Sequence, residues 1–383
     1  MIDKNILVLY DRLRKANKLM SNVTNMEDKM VLANYIGNLY TFIGNVLNIK
    51  VKPKKKRIFG DKKGYRDFYS LFDEKEDEML DNLIRYKEFH CDLIGDIIPL
   101  IEDVMMGICC EEIIEDEPIN KNDYYNIFME FMKSLKLDEL FLKYLRDGRI
   151  HSSTLKEGDT CLAATIYNPF TKDIDMSVSN FSYSVLSMFS MAHEFGHVYD
   201  LSSLDIDSKI YNRYFYQSFY GEVYSKLFER LFISYMINNN ILKDNAKSVI
   251  CHMILINHDY LLAAYILSLF DDGYLEDGVY KCMNMEELID VIKNHFYDED
   301  EVMDYILGVR NLDARDDFTY SYGDIISMFL KGVVEQSGFD NEFVHEFNSI
   351  RTNLFRPDFL EKYGINSENY VKLYKNEVGL LQK

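Results

Sequence analysis

Glycine and proline are scarce in this chain: 18 and 5 respectively among 383 residues, about 6% together and roughly half the usual share. These two residues punctuate the backbone, so a chain with so few cannot furnish the many tight turns of a sandwich or barrel of short strands. A mainly helical fold is therefore expected. With 48% hydrophobic residues, a sizeable core can be buried and global disorder is excluded. The length allows one large domain or two modest ones.

The formal charge is −20, from 63 acidic against 43 basic residues. A polyanion would be repelled over most of such a surface, so nucleic acid is not an expected partner. The first twenty residues carry Asp3, Lys4, Asp11, Arg12, Arg14 and Lys15 among their apolar positions, unlike a signal peptide. The longest apolar stretch, Met253–Phe270, is interrupted by His258 and Asp259 and reads as a buried helix rather than a membrane span. The six cysteines (91, 109, 110, 161, 251 and 282) form no CxxC pair, which argues against a disulfide framework or a cysteine zinc site. A cytoplasmic protein without membrane association is the expectation.

Along the chain, residues 1–48 give two amphipathic helical patterns divided near Ser21–Met26. The segment Lys50–Arg66 sets a run of Lys and Arg against the single acid Asp61, with Pro53, Gly60 and Gly64 marking a loop. It is either a solvated loop or a contact for an anionic partner. Helical periodicity returns to Cys110, an acidic stretch Glu111–Glu117 ends at Pro118, and a helix pair follows to Leu145. Between 146 and 180 the pattern changes: Gly148, Gly158 and Pro169 surround Thr160–Tyr167, rich in small, β-branched and apolar residues. That stretch predicts a strand of a small sheet. The expected division is an N-terminal helical region, 1–145, and a region 146–383 holding the sheet and the chemistry.

The chemistry centres on His193-Glu194-Phe195-Gly196-His197. Asn180 or Ser182 can cap a helix here, and apolar residues recur at 185, 188, 189, 192 and 195. At 3.6 residues per turn the two histidines project from one face, one turn apart, and can reach one metal ion. Glu194 lies one step round the helix, close enough to touch a water at that ion without ligating it. Gly196 removes a side chain there, so another backbone can come near.

A catalytic zinc needs a third protein ligand and an open position. Twenty-five residues after His197 comes Glu222, in Gly221-Glu222-Val223-Tyr224-Ser225-Lys226-Leu227-Phe228-Glu229, within a second helical pattern, Tyr211–Met236. Glu222 can return as that ligand on an antiparallel helix, or it can be the solvated partner of Lys226 at i,i+4. Glu229, seven residues on, shares its face and can orient a histidine by hydrogen bonding.

HEFGH followed at this spacing by E-x-x-S-x-x-x-E resembles the thimet oligopeptidase and oligoendopeptidase F family of zinc peptidases. Arg149–Ile166 looks like that family's glycine-bearing strand region, which aligns the substrate backbone, and Asp317-Phe318-Thr319-Tyr320-Ser321-Tyr322-Gly323 like its tyrosine block. The resemblance covers roughly residues 146–335. It implies a mainly α, zincin-type metallopeptidase with a small β-sheet beside the active-site helix. It further implies one Zn²⁺ per chain held by His193, His197 and Glu222, Glu194 as general base, Glu229 behind a histidine, and Tyr320 and Tyr322 as oxyanion donors. Oligopeptides are the implied substrates.

Three departures set this chain apart as a short, divergent relative. Residues 1–145 imply a reduced channel wall. No histidine lies between Leu307 and Phe318, where Asn311 aligns best with a family histidine, and Asp317 takes an aromatic position. An alternative reading is thus a zinc-containing helical peptide- or protein-binding module with little hydrolytic activity; another is a structural helical protein with a chance HExxH. His252, His258 and His295 read as structural or surface histidines. His151 adjoins the candidate strand, and Asp200, one turn past His197, reads as either a helper of the metal site or a solvated helix end. No GxSxG, phosphate-binding Gly-rich loop or Cys–His pairing is present to support nucleophilic or nucleotide chemistry.

Overall fold

The computed structural model describes residues 4–47, 93–101, 104, 118–153, 163–179, 183–203, 221–268, 314–350 and 357–382. The basic segment 50–66, the acidic stretch 111–117, Asn180, Ser182, His295, Asn311 and every cysteine but Cys251 lie outside them. The described chain is helical throughout except for one three-stranded sheet, as the scarcity of breakers predicts.

Helices α1 (Lys4–Met20) and α2 (Met26–Leu47) form an antiparallel pair. Leu9, Ala16 and Met20 recur on one face of α1 and are buried against Leu32, Ile36, Leu39 and Ile43 of α2. The Asn25 side chain starts α2, accepting the Glu27 backbone N–H at 2.8 Å. Glu27 and Asp28 then lie in the first turn, where the helix dipole favours acids.

The sheet consists of β1 (Ile150–Ser153), β2 (Ala163–Asn168) and β3 (Asp173–Ser179), in the order β1-β3-β2. β1 runs parallel to β3, and β2 pairs antiparallel with it, Ala163 opposite Val178 and Asn168 opposite Asp173. Asn168 Oδ1 accepts the Phe170 N–H in the connecting turn. The predicted strand is thereby present, extending one residue past Tyr167 to Asn168.

Period-two alternation gives the sheet two covered faces. Ile174, Met176 and Val178 join the main core, while Asp173, Asp175 and Ser177 turn toward α1 and α2. There Arg12 reaches across, its Nη1 2.7 Å from Asp173 Oδ1 and its Nε 3.3 Å from Asp175 Oδ2. His151 lies on this same buried face, 3.5 Å from Asp175 and edge-on to Phe42. It is a buried histidine on the side of the sheet that faces α1 and α2.

The main core is aromatic. Helices α3 (Lys121–Ser134) and α4 (Asp138–Arg146) supply Phe128, Phe131, Phe141 and Tyr144 to it. These rings meet Phe195 of α5 (Val185–Ser203) and Phe232 of α6 (Val223–Asn238) edge-on or tilted at centroid distances of 5.2–6.5 Å. Each ring so buried contributes about 1.5–3 kcal/mol. Helices α7 (Lys243–Ser268) and α8 (Ala314–Ser337) pack against α6 from its other side. Then come α9 (Glu342–Ile350), α10 (Pro357–Lys362), α11 (Ser367–Val378) and a closing 3-10 turn, Gly379–Gln382.

One buried ion network pins α6 in place. Arg230 is paired with Asp324 of α8 and Glu377 of α11, and donates Nε to Ser327 Oγ at 3.1 Å. Tyr370 bonds the other Asp324 oxygen, and Lys331 lies 3.5 Å from Glu377. Among the described residues no helix is long and apolar enough to cross a membrane.

Candidate metal centre

Helix α5 begins with a reciprocal cap. Ser184 Oγ accepts the Ser187 N–H at 3.2 Å while Ser187 Oγ accepts the Ser184 N–H at 3.1 Å. The cap is thus Ser184, later than the Asn180 or Ser182 expected from sequence. From there Val185, Met188, Met191, Ala192, Phe195 and Val198 face the core. The opposite side presents His193 and His197, both half-buried, with ring centroids 4.9 Å apart.

Helix α6 lies against α5 because Gly196 lets it. A Cβ at Gly196 would fall 2.5 Å from the Tyr224 carbonyl oxygen and 2.6 Å from Ser225 Cα. The two backbones touch at this point, which brings the N-terminus of α6 over the histidines. Gly323 on α8 has the same use on the other side, since a Cβ there would meet Glu222 Cβ at 2.8 Å. Glu222 is the N-cap residue of α6 and is wedged between the two close approaches.

The result is a convergence of three donors. Glu222 Oε2 is 3.4 Å from His193 Nε2 and 3.4 Å from His197 Nε2, and the three ligand atoms lie within 4.8 Å of one another. Tetrahedral zinc with bonds of about 2.0–2.1 Å needs its donors about 3.3 Å apart. Two imidazoles and a carboxylate are also a donor set used by catalytic zinc. The residues present fit the metal.

Each donor is held from behind. His193 Nδ1 donates to Glu229 Oε1 at 2.7 Å, which leaves Nε2 turned toward the cluster. Ser225 Oγ lies 2.6 Å from Glu222 Oε2 and 2.8 Å from the Glu222 carbonyl, fixing the carboxylate one turn back along its own helix. Burial pushes the Glu222 carboxyl up, but the His197 and His193 imidazoles and the Ser225 hydroxyl outweigh it and hold it well below the usual carboxylate range. Burial lowers the His197 imidazole, yet Glu222 beside it, then Glu194 and Glu229, raise it to about 9. Three carboxylates facing two imidazoles need positive charge, and a metal ion or protons can supply it.

Glu194 is buried on α5, and Thr165 Oγ1 of strand β2 donates to its Oε2 at 2.6 Å. The general-base candidate therefore lies where helix and sheet meet. Thr165 was invisible as a site residue in sequence, since only the register of β2 on β3, Thr165 opposite Met176, turns it toward α5.

Lys226 departs from its expected place. It is 5% exposed, and its partner is Glu229 at 3.5 Å rather than Glu222. A surface i,i+4 pair is thus excluded as the account of Glu222. The tyrosine block divides. Tyr322 is wholly buried in the main core, a packing position, whereas Tyr320 is half-buried and stacks on Tyr260 at 4.5 Å, with Lys226 Nζ 5.4 Å from its ring. The side chain of Asp317 lies outside the described residues. Asp200 is buried, not a solvated helix end; His252 is exposed, and His258 is half-buried beside Asp259.

Compared by sequence, the chain matches no known protein-family model and no curated protein. Compared by structure, it is similar to a crystal structure described as an oligoendopeptidase F from Bacillus anthracis str. Ames, with a TM-score of 0.50, 14% identity, and 90% of this chain matched to 62% of that one. A 3.1 Å X-ray structure described as an oligoendopeptidase F gives a TM-score of 0.50 at 13% identity, over 93% of this chain and 66% of that one. The chain thus spans less than two thirds of the length of either. At these identities the likeness is one of fold: mainly helical, as the resemblance implies.

Proposed function

We propose that this protein is a zinc-dependent endopeptidase that hydrolyses short, unstructured oligopeptides. The observation that carries this reading is the meeting of His193 Nε2, His197 Nε2 and Glu222 Oε2 at zinc-ligand spacing, with Glu194 on the next position of the same helix. When bound, Zn²⁺ supplies a Lewis acid for the peptide carbonyl and makes water acidic enough to attack near neutral pH.

The chain's own residues do the rest. Glu194 takes a proton from the attacking water as the new C–O bond forms, and returns it to the amine as the C–N bond breaks. The Thr165 hydroxyl fixes the carboxylate for both transfers. Glu229 keeps His193 in the tautomer with a free Nε2. Strand β2 ends the sheet order, with β3 on its other side, so an extended peptide can add along its outer edge through backbone bonds. Tyr320, half-buried, and Tyr322, buried in the main core, are the proposed oxyanion donors. The likeness to oligoendopeptidase F structures supports the reading at the level of fold.

The test is cleavage of a quenched peptide by protein of measured zinc content. One zinc per chain, with cleavage lost in Glu194→Gln and zinc retained, is the expected outcome. Stoichiometric zinc and peptide binding without cleavage would instead favour a binding module. Absence of zinc uptake would sink the metal reading altogether.

A further inference from the structure

Lys226 is a cation in the interior. It lies on α6 among residues that are nearly all buried, and an ammonium there loses several kcal/mol of hydration unless partners replace the water. Met would fill the same space at no such cost. What the amine does can be read from its surroundings, which come from three helices.

On α7, Asn257 Oδ1 accepts from Nζ at 2.9 Å. The rings of Tyr260 on α7 and Tyr320 on α8, stacked on each other at 4.5 Å, present their faces with centroids 5.8 and 5.4 Å from Nζ, within cation–π range. One turn along α6, Glu229 Oε2 lies at 3.5 Å. Glu229 is divided between two neighbours: Oε1 accepts from His193 Nδ1 at 2.7 Å, while Oε2 has no hydrogen-bond partner and faces the ammonium. A continuous line of polar contacts thus runs from the α7–α8 tyrosine stack through Lys226 and Glu229 to a histidine of the metal cluster.

We infer that Lys226 is a positioning residue for the metal centre: its ammonium, clamped by Asn257, Tyr260 and Tyr320, fixes the far oxygen of Glu229 so that the near oxygen holds His193 in ligating orientation. The inference rests on the zinc reading above. Among the described residues Glu229 forms ion pairs with His193 through Oε1 and with Lys226 through Oε2. Without the ammonium only the His193 bond holds the carboxylate in its present rotamer, and a histidine free to turn is a weaker ligand. Asn257 enters as a residue that acts on the metal without touching any ligand.

The experiment is zinc affinity by chelator competition, together with the Tm of the metal-free protein, for wild type, Lys226→Met, Asn257→Leu and Ile233→Ala. Ile233, buried on the same helix, is a control for general loosening of α6. Lys226→Met is expected to weaken zinc binding about tenfold or more, within the 10–100-fold seen when groups behind metal ligands are lost. Asn257→Leu should weaken it less, in the same direction, while Ile233→Ala lowers Tm and leaves zinc affinity within about threefold. The inference is overturned if Lys226→Met and Asn257→Leu both stay within about threefold of wild type, or if Ile233→Ala weakens zinc as much as they do. A wild type that takes up no zinc overturns the metal reading and this inference together; unaffected variants of a zinc-binding wild type overturn this one alone.

Discussion

Thr165 and Glu194 are joined at 2.6 Å, hydroxyl to carboxylate, across the seam between strand β2 and helix α5. The same hydroxyl lies 3.2 Å from the Glu194 backbone carbonyl. The strand proposed to pair with an extended peptide thereby also holds the carboxylate proposed to move the protons. Thr165→Val keeps the shape and removes the bond. A hydrogen bond to a charged group contributes about 1.5–3 kcal/mol, and part of that is recovered from water near a half-open site, so cleavage should slow about 3–30-fold. Zinc content should not change. Equal kcat/KM in variant and wild type would show that Glu194 is held by something else.

Gly196 and Gly332 make a matched pair of tests on helix glycines. At Gly196 an added Cβ meets the backbone of Tyr224 and Ser225 at 2.5–2.6 Å, and backbone cannot give way as a side-chain end can. Gly196→Ala should therefore destabilise by about 1–3 kcal/mol or more and widen the spacing between the histidines and Glu222, weakening zinc binding as well. At Gly332 on α8 an added Cβ would have nothing within 4 Å, so Gly332→Ala should stabilise by about 0.4–1 kcal/mol. Thermal melts with and without zinc measure both. A Gly196→Ala protein with unchanged Tm and zinc affinity would mean that α5 and α6 do not meet as described.

Much of this was legible in the residues themselves. His193 and His197 are local to one helix, so a spacing of four places them on one face whatever the rest of the chain does. The hydrophobic period and the rarity of glycine and proline likewise carry the helical class. What the sequence withheld is contact between elements. Lys226 reads as a solvated partner of Glu222 because i,i+4 pairs are ordinary on exposed helices; only the packing of α7 and α8 over α6 buries it and turns it to Glu229. Thr165 depends on strand register, where a slip of one residue would turn it to the α1–α2 side. Tyr320 and Tyr322, two apart on a helix, had to point different ways, and sequence could not say which one entered the core.

Acid should loosen the Arg230 network through Glu377. Burial pushes that carboxyl up, but the Arg230 and Lys331 cations and their hydrogen bonds hold it below its ordinary value. A group depressed in the folded state contributes stability above its unfolded pKa, about 4.3, and loses it as pH falls through the folded value. Glu377→Gln leaves Arg230 short of a partner and should cost about 3–5 kcal/mol near neutral pH. Below about pH 4.3 the wild type begins to lose that charge-linked stability, fully so only below the lower folded value, so the stability gap should narrow there. Urea melts at about pH 7 and about pH 3.5, on either side of that unfolded value, measure it. Asp324 runs opposite, burial raising it despite Arg230, so its protonation favours the fold and cannot account for a narrowing gap. A gap of the same size at both pH values would show that Glu377 gains no stability from its charge.

The remaining question is which residue completes the metal cluster, and Ser225 offers a way to grade the answer. Glu222 Oε2 is the atom equidistant, at 3.4 Å, from both imidazole Nε2 atoms, and Ser225 Oγ lies 2.6 Å from that same oxygen. If Glu222 is a ligand, Glu222→Ala removes a donor outright and zinc affinity should fall by orders of magnitude. Ser225→Ala removes only the group that orients the donor, and should cost about 10-fold, at the low end for groups behind a ligand. Glu222→Gln retains the shape but exchanges a charged donor for a neutral amide, so its loss should fall between the two. The order in which Glu222→Ala is worst, Glu222→Gln intermediate and Ser225→Ala mildest follows from ligation alone, because a merely structural Glu222 at the start of α6 would be served nearly as well by Gln. Zinc affinity of the three variants, measured with one chelator at one pH, decides the matter. If Glu222→Gln binds zinc as wild type does, the third ligand lies elsewhere and the cluster is a histidine pair with a carboxylate neighbour.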